Sequence, residues 1–324
     1  MTEEKKGFSI ISLGCPKNLV DSEYICERLS GAGFSMMNDP GEAEVVIVNT
    51  CAFLESSVKE SIDTMLEWVD RGKEVVCTGC IVSLYGKELR NELPEIKVFA
   101  GPGTYDKLSR MIQKGNAYSM PVFGSVFGRT FTSTKGYAYV KISEGCSNHC
   151  NYCLIPMLRG ELTSRPDAAI VEECGNLINK GARELILIGQ DLGGYGKDLG
   201  LKDGLPALVE KISALDRDVW IRLMYIHPAS LTKRLVSTMM ENPNVCRYID
   251  IPIQHISDKV LNKMGRKGGR KAVEGSLSML SQAGIWIRTT LMVGHPGEDE
   301  KAFSICDRQF STSALSSSAS LPEA

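Results

Sequence analysis

The sequence predicts an α/β protein of two consecutive domains, each built on parallel strands. Three observations carry this reading. Short apolar runs rich in β-branched residues alternate with amphipathic stretches along most of the 324 residues, as in a parallel sheet covered by helices. The alternation breaks between residues 119 and 133 and then resumes. Several cysteines fall just past the ends of the expected strands, on the edge where open parallel sheets bind ligands.

The first domain is expected at 7–118. Residues 8–13 read as a short buried strand. Residues 18–31 read as a helix with Leu19, Ile25 and Leu29 apolar and Gly31 placed to end it. A second strand follows at 45–48. A helix at 56–70 has Val58, Ile62, Met65, Leu66 and Val69 on its apolar side, and a third strand lies at 74–77. Residues 119–133 have no clear period and read as a linker. The second domain, 134–310, is expected to hold strands at 137–142, 184–188, 219–224, 247–251 and 286–293. Helices are expected between them at 168–180, 205–215, 231–240 and 270–283. Five such units in a row predict a partial, TIM-like parallel barrel. Residues 311–324 hold six serines, three alanines and one threonine, which reads as a disordered tail.

Lys plus Arg is 37 against 39 Asp plus Glu, a formal net charge of -2. That balance excludes a strongly basic nucleic-acid coat but not a local basic patch, and no direct nucleic-acid site is evident. No apolar run approaches membrane-spanning length. Met1 to Gly7 is polar and gives no secretion signal, so a cytoplasmic protein is expected. Eleven cysteines, an odd number, then point to metal or catalytic chemistry rather than to disulfides.

The densest signal is the loop Cys146-Ser147-Asn148-His149-Cys150-Asn151-Tyr152-Cys153. A C-x3-C-x2-C spacing lets three thiolates converge on one centre, as in iron–sulfur sites. Three thiolates on a 4Fe–4S cube leave one iron open to a further ligand. The alternative is a structural zinc with His149 or a distant residue as fourth ligand. A second triad is dispersed: Cys15, Cys51 and Cys80 each follow one of the first three strands. Three strand ends on one edge would bring them together. The alternatives are buried cysteines acting as small hydrophobes, or a Cys77–Cys80 redox pair. Cys77 falls inside a strand, so Cys80 is the expected ligand. Cys26, Cys77, Cys174, Cys246 and Cys306 are read as structural.

Together these features resemble the two-cluster radical S-adenosylmethionine methylthiotransferases, over residues 7 to 305. The C-x3-C-x2-C loop with Tyr152 before its last cysteine is similar to the radical S-adenosylmethionine signature. Cys15, Cys51 and Cys80 resemble the family's N-terminal methylthiotransferase domain. Pro16-Lys17-Asn18, Gln190-Asp191 and Tyr195-Gly196 are similar to the branch that modifies an aspartate of small-subunit ribosomal protein S-twelve. Its sister branch modifies an adenosine of transfer RNA and is the alternative.

The resemblance implies two 4Fe–4S clusters, one on Cys146, Cys150 and Cys153 and one on Cys15, Cys51 and Cys80, with S-adenosylmethionine on the open iron of the first. It implies a 5′-deoxyadenosyl radical that takes a hydrogen from the target β-carbon, and a methylthio group delivered from the second cluster. Ribosomal protein S-twelve or the ribosomal subunit would be the partner, with a low-potential electron donor. Gln190 would meet the amino group of S-adenosylmethionine. Arg222 and Arg288 would bind its carboxylate, or else form ion pairs across the barrel. Asp191, His227, Gln254, His255 and Gly294 stand at or past strand ends, with structural hydrogen bonds the bland reading for the two histidines. His295 stands where the family has Phe, at the barrel rim. The family's last barrel strand and its C-terminal TRAM β-barrel have no counterpart here. An open barrel edge predicts reduced stability and loss of turnover, and with it the reading as a truncated, non-catalytic iron–sulfur protein.

Overall fold

The structure is a computed structural model that describes residues 6–122, 129 and 136–310. Most of the expected linker and all of the expected tail lie outside the described residues. The chain forms two compact units: Met1–Thr134 with Leu154–Arg165, and Lys135–Cys153 with Pro166–Ala324.

The first unit is a parallel α/β sheet. Its elements are β1 (Gly7–Ser12), α1 (Pro16–Gly31), β2 (Ser35–Met36), β3 (Val45–Thr50), α2 (Glu55–Asp70), β4 (Glu74–Gly79), α3 (Cys80–Glu92), β5 (Val98–Ala100), α4 (Tyr105–Lys114) and β6 (Ala117–Ser119). All neighbouring strands pair in parallel in the order β2-β1-β3-β4-β5-β6. The order reverses between β1 and β3, the switch point at which doubly wound sheets open a crevice at their carboxyl ends. The core between sheet and helices holds Val46, Val48, Met65, Trp68, Val75, Cys77, Ile81 and Phe99. Leu154–Arg165 also belongs to this unit. Its one helix, α5 (Ile155–Arg159), adds Leu158 to the same core.

The strands β3 and β4 run two residues further than their apolar runs. Three of the added residues, Asn49, Thr50 and Thr78, are polar yet buried, because each finds a partner. The Thr50 hydroxyl donates to the Thr78 carbonyl at 2.6 Å and that of Thr78 to the Ala100 carbonyl at 2.8 Å. Asn49 donates to the Asn18 carbonyl at 2.8 Å and to Ser22 Oγ at 2.9 Å. A search for apolar residues alone stops short of such a strand end.

The second unit contains β7 (Tyr137–Lys141), α6 (Asp167–Asn179), β8 (Glu184–Ile188), α7 (Gly204–Ser213), β9 (Trp220–Leu223), α8 (Lys233–Glu241), β10 (Val245–Asp250), α9 (Asp258–Lys263), α10 (Gly269–Gln282), β11 (Trp286–Arg288) and α11 (Glu300–Phe310). The five strands are parallel and lie in sequence order from β7 to β11, as successive βα units of an open barrel do. The last strand is the main departure, ending at Arg288 rather than 293. Gln254 there has φ 68°, and the Thr289 hydroxyl inserts between strands, donating to the Ile251 carbonyl at 2.8 Å and accepting from the Ile253 N–H. The ladder is interrupted and resumes as a single bridge, Gln254 to Leu291.

Candidate functional site

The first cysteine triad is built on three strand ends. Cys15 caps α1 in extended conformation, with Pro16 at the first helical position, where its fixed φ suits a helix start. Cys51 follows β3 directly, and Cys80 opens α3 just past β4. The first two of these ends flank the switch point, and the third lies on the next strand. Cys15 and Cys51 lie close enough to Cys80 to bear on its charge. Two glycines permit the approach. At Gly14 (φ +85°) a Cβ would stand 2.7 Å from Cys51 Cβ and 2.9 Å from its Sγ; at Gly79 (φ +94°) it would stand 2.6 Å from the Thr50 carbonyl oxygen. Neither position tolerates a side chain.

Asn18, fully buried, laces the loops together. Its amide nitrogen donates to the carbonyls of Leu13 (2.9 Å) and Thr50 (2.8 Å), residues that precede two of the cysteines. Its oxygen accepts from Arg159. Arg159 also donates through Nε to Cys80 Sγ at 3.3 Å and through Nη1 to Asp21 at 2.6 Å. Burial raises the Cys80 thiol above its ordinary range, with Arg159 opposing. Cys77 is fully buried within β4, which pushes its thiol far up. A thiol so hard to ionise suits a core residue rather than half of a redox pair. Cys26, Cys174, Cys246 and Cys306 are likewise buried, and burial pushes Cys26 up to about 12.

The second triad follows β7. Cys146, Cys150 and Cys153 are each partly exposed. The loop is fastened to the turn after α9. The Asn151 N–H donates to the Met264 carbonyl at 2.9 Å, its side chain to the Lys263 carbonyl at 2.8 Å, and Lys267 to the Ser147 carbonyl at 3.1 Å. Arg266 donates to the Pro252 carbonyl and reaches Tyr152 Oη at 3.4 Å and Cys150 Sγ at 3.8 Å. The His295 ring meets Tyr152 edge-on, centroids 6.3 Å apart. Burial, first among the causes, raises the Cys146 thiol.

Past the strand ends lies a polar network. Asp191 accepts from Asn148 of the cysteine loop (2.8 Å), from Ser230 Oγ (3.0 Å), and from the N–H groups of Gly193 (3.1 Å) and His227 (3.0 Å). Gln190 donates to Glu144 at 2.6 Å, and Lys141 pairs with the same carboxylate at 2.6 Å. His227 Nδ1 accepts from the Ala229 N–H at 3.1 Å, so the ring proton is assigned to Nε2. Burial, then the charge of Arg266, pushes His227 down to about 4 against the pull of Asp191, which leaves a neutral ring. Ser143 Oγ, Gln190 Oε1, His227 Nε2 and Gln254 Oε1 are buried without a hydrogen-bond partner. Each follows a different strand, β7 to β10 in order. Buried polar atoms left open in such a row fit a polar ligand at the sheet's carboxyl edge.

Other expected contacts also have partners within the protein. Arg222 pairs with Glu184 at 2.5 Å and stacks on Tyr248, and Arg288 pairs with Asp250. These are the ion pairs weighed as the alternative to carboxylate binding, and each arises because an acid sits on the adjoining strand. Gly294 (φ +77°) donates its N–H to Glu298 at 2.5 Å. The other Glu298 oxygen lies 3.1 Å from His255 Nε2, so His255 takes its structural reading. Among the described residues no group of three or more His, Cys, Asp or Glu can hold a single metal ion. Asn18, Glu144, Arg159 and Arg266 escaped the sequence reading as site residues.

Comparison with known proteins follows the same division. Residues 7–101 match the model for an uncharacterized protein family, UPF0004, and residues 140–305 match the radical SAM superfamily. The chain is 40% identical over 319 residues to the ribosomal protein uS12 methylthiotransferase RimO of Geobacter sulfurreducens, covering 94% of this chain and 71% of that protein. It is 43% identical over 318 residues to the protein of that name from Clostridium tetani, with the same coverage of both chains. Among solved structures, the radical S-adenosylmethionine methyltransferase TsrM from Kitasatospora setae, with cobalamin and a 4Fe–4S cluster bound, superposes with a TM-score of 0.71. That match has 16% identity and covers 95% of this chain and 73% of that one.

Proposed function

The chain belongs to the RimO family of radical S-adenosylmethionine methylthiotransferases, and on that premise we propose that it adds a methylthio group to the β-carbon of an aspartate in ribosomal protein uS12. It is a transferase that uses 4Fe–4S clusters and S-adenosylmethionine. The observation that carries the proposal is the pair of cysteine triads, each at the carboxyl edge of its own parallel sheet.

In this reading Cys146, Cys150 and Cys153 hold one cluster and Cys15, Cys51 and Cys80 the other. The bound groups supply reductive cleavage of S-adenosylmethionine to a carbon radical and a sulfur source for the product. The protein's part is to hold, orient and exclude water. Gln190 and His227 offer an acceptor and a neutral N–H donor to S-adenosylmethionine or the substrate. Asp191 fixes the cysteine loop against the ends of β8 and β9. Arg222 and Arg288 shape the sheet through their ion pairs, and the Glu298 clamp holds the Gly294 N–H. No described helix is long and apolar enough to cross a membrane. A cytoplasmic site of action, with a low-potential electron donor as second partner, completes the proposal.

The test is anaerobic reconstitution with reductant, S-adenosylmethionine and either uS12 or transfer RNA. The expected result is uS12 heavier by one methylthio group in place of hydrogen, located on an aspartate. A modified adenosine with unmodified uS12 would assign the chain to the sister chemistry.

A further inference from the structure

We propose that Arg159 is a positioning residue for the N-terminal cluster: its guanidinium holds Cys80 in ligand position and raises the reduction potential of the group on Cys15, Cys51 and Cys80. The inference rests on the reading that this triad holds a 4Fe–4S cluster.

Arg159 comes six residues after Cys153, yet it folds within the first unit as the last residue of α5. Its side chain and that of Asp21 are only 2% and 1% exposed. Each of the three guanidinium nitrogens has a partner. Nε donates to Cys80 Sγ at 3.3 Å, Nη1 to Asp21 at 2.6 Å, and Nη2 to the Asn18 oxygen. Asp21 and Asn18 both lie on α1, which Cys15 caps. Asn18 in turn donates to the Leu13 and Thr50 carbonyls beside Cys15 and Cys51. One planar fork therefore connects the residues that set all three thiols.

The same fork bears on the electronics. A guanidinium stays charged in proteins and is rigid once two of its arms are fixed. Here Asp21 and Asn18 fix two arms, which aims the third at sulfur. A hydrogen bond and a nearby positive charge at a ligand sulfur favour the state that carries more negative charge. Reduction adds an electron, so this contact raises the potential. Asp21 offsets part of the charge, while the directed N–H···S contact acts on the sulfur itself. Burial strengthens the effect, because water cannot screen it.

The experiment uses the full chain with Cys146→Ala, Cys150→Ala and Cys153→Ala, so that only the N-terminal cluster contributes a signal. Arg159→Gln is combined with Asp21→Asn, so that no buried carboxylate loses its guanidinium. Arg159→Lys keeps the charge without the fork. Iron and sulfide are counted first, and the potential is then read by electron paramagnetic resonance during redox titration. The expected result is about four irons per chain in the parent and a more negative potential in the Gln/Asn variant, with Lys between the two. A loaded cluster whose potential is unchanged in both variants would overturn the role of Arg159. A Gln/Asn variant that fails to load, with Lys at the parent potential, would reduce Arg159 to a structural role and also overturn it. A parent without iron would overturn the cluster reading itself.

Discussion

His227 shows how one side chain can serve fold and site together. Its Nδ1 caps a short turn by accepting from Ala229, and its backbone N–H is held by Asp191. Only Nε2 is left for a ligand. This arrangement has a price in acid. The ring is held at about 4 against an ordinary 6.5, so the unfolded chain takes up its proton first as pH falls. The stability that the neutral ring contributes is complete above about 6.5 and is lost as pH falls toward 4. Between about pH 7.5 and about pH 5 the loss is about 2 kcal/mol. Urea midpoints at the two pH values should show this drop, and His227→Gln should remove most of it. An equal drop in both proteins would place the acid sensitivity elsewhere. The residue was legible in the sequence as a strand-end histidine. Its orphaned nitrogen was not, since that depends on which ring atom the turn at Ala229 occupies.

At the scale of elements, the C-x3-C-x2-C loop is held by a turn more than a hundred residues away, from Lys263 to Lys267. Its anchors are mostly backbone carbonyls, which explains why no side-chain pattern announced them. The roles of the arginines were hidden by sequence distance instead. Arg159 reaches Cys80 and Asp21 across 79 and 138 positions, and Arg266 reaches Cys150 across 116. Neither lies in a run that marks it as buried. The strands that carry the cysteines were legible from their β-branched runs. Their polar ends at Asn49, Thr50 and Thr78 were not, because only pairing makes such residues tolerable inside. Arg266→Ala removes the donor to the Pro252 carbonyl and the contacts to Tyr152 and Cys150. Leaving a part-buried acceptor unpaired costs up to about 1–3 kcal/mol. In a chain carrying Cys15→Ala, Cys51→Ala and Cys80→Ala, Arg266→Ala should therefore lose iron to a chelator faster than its parent. Equal rates would mean that the turn does not hold the loop.

Across the whole molecule, two parallel sheets repeat one device. A strand ends, the backbone turns, and a cysteine or a polar side chain is presented at the carboxyl edge. The first sheet does so at the reversal of its strand order; the second does so along successive barrel strands. Strand–helix alternation makes the dispersed triad legible in the amino-acid sequence alone, and the C-x3-C-x2-C spacing does so for the compact one. The central claim is that each triad holds its own 4Fe–4S cluster. It is tested most directly by iron and acid-labile sulfide in anaerobically prepared protein, alongside Cys15→Ala and Cys146→Ala. The account predicts about eight of each per chain, falling to about four in either variant. About four in the unaltered chain, or zinc in place of iron, would contradict it.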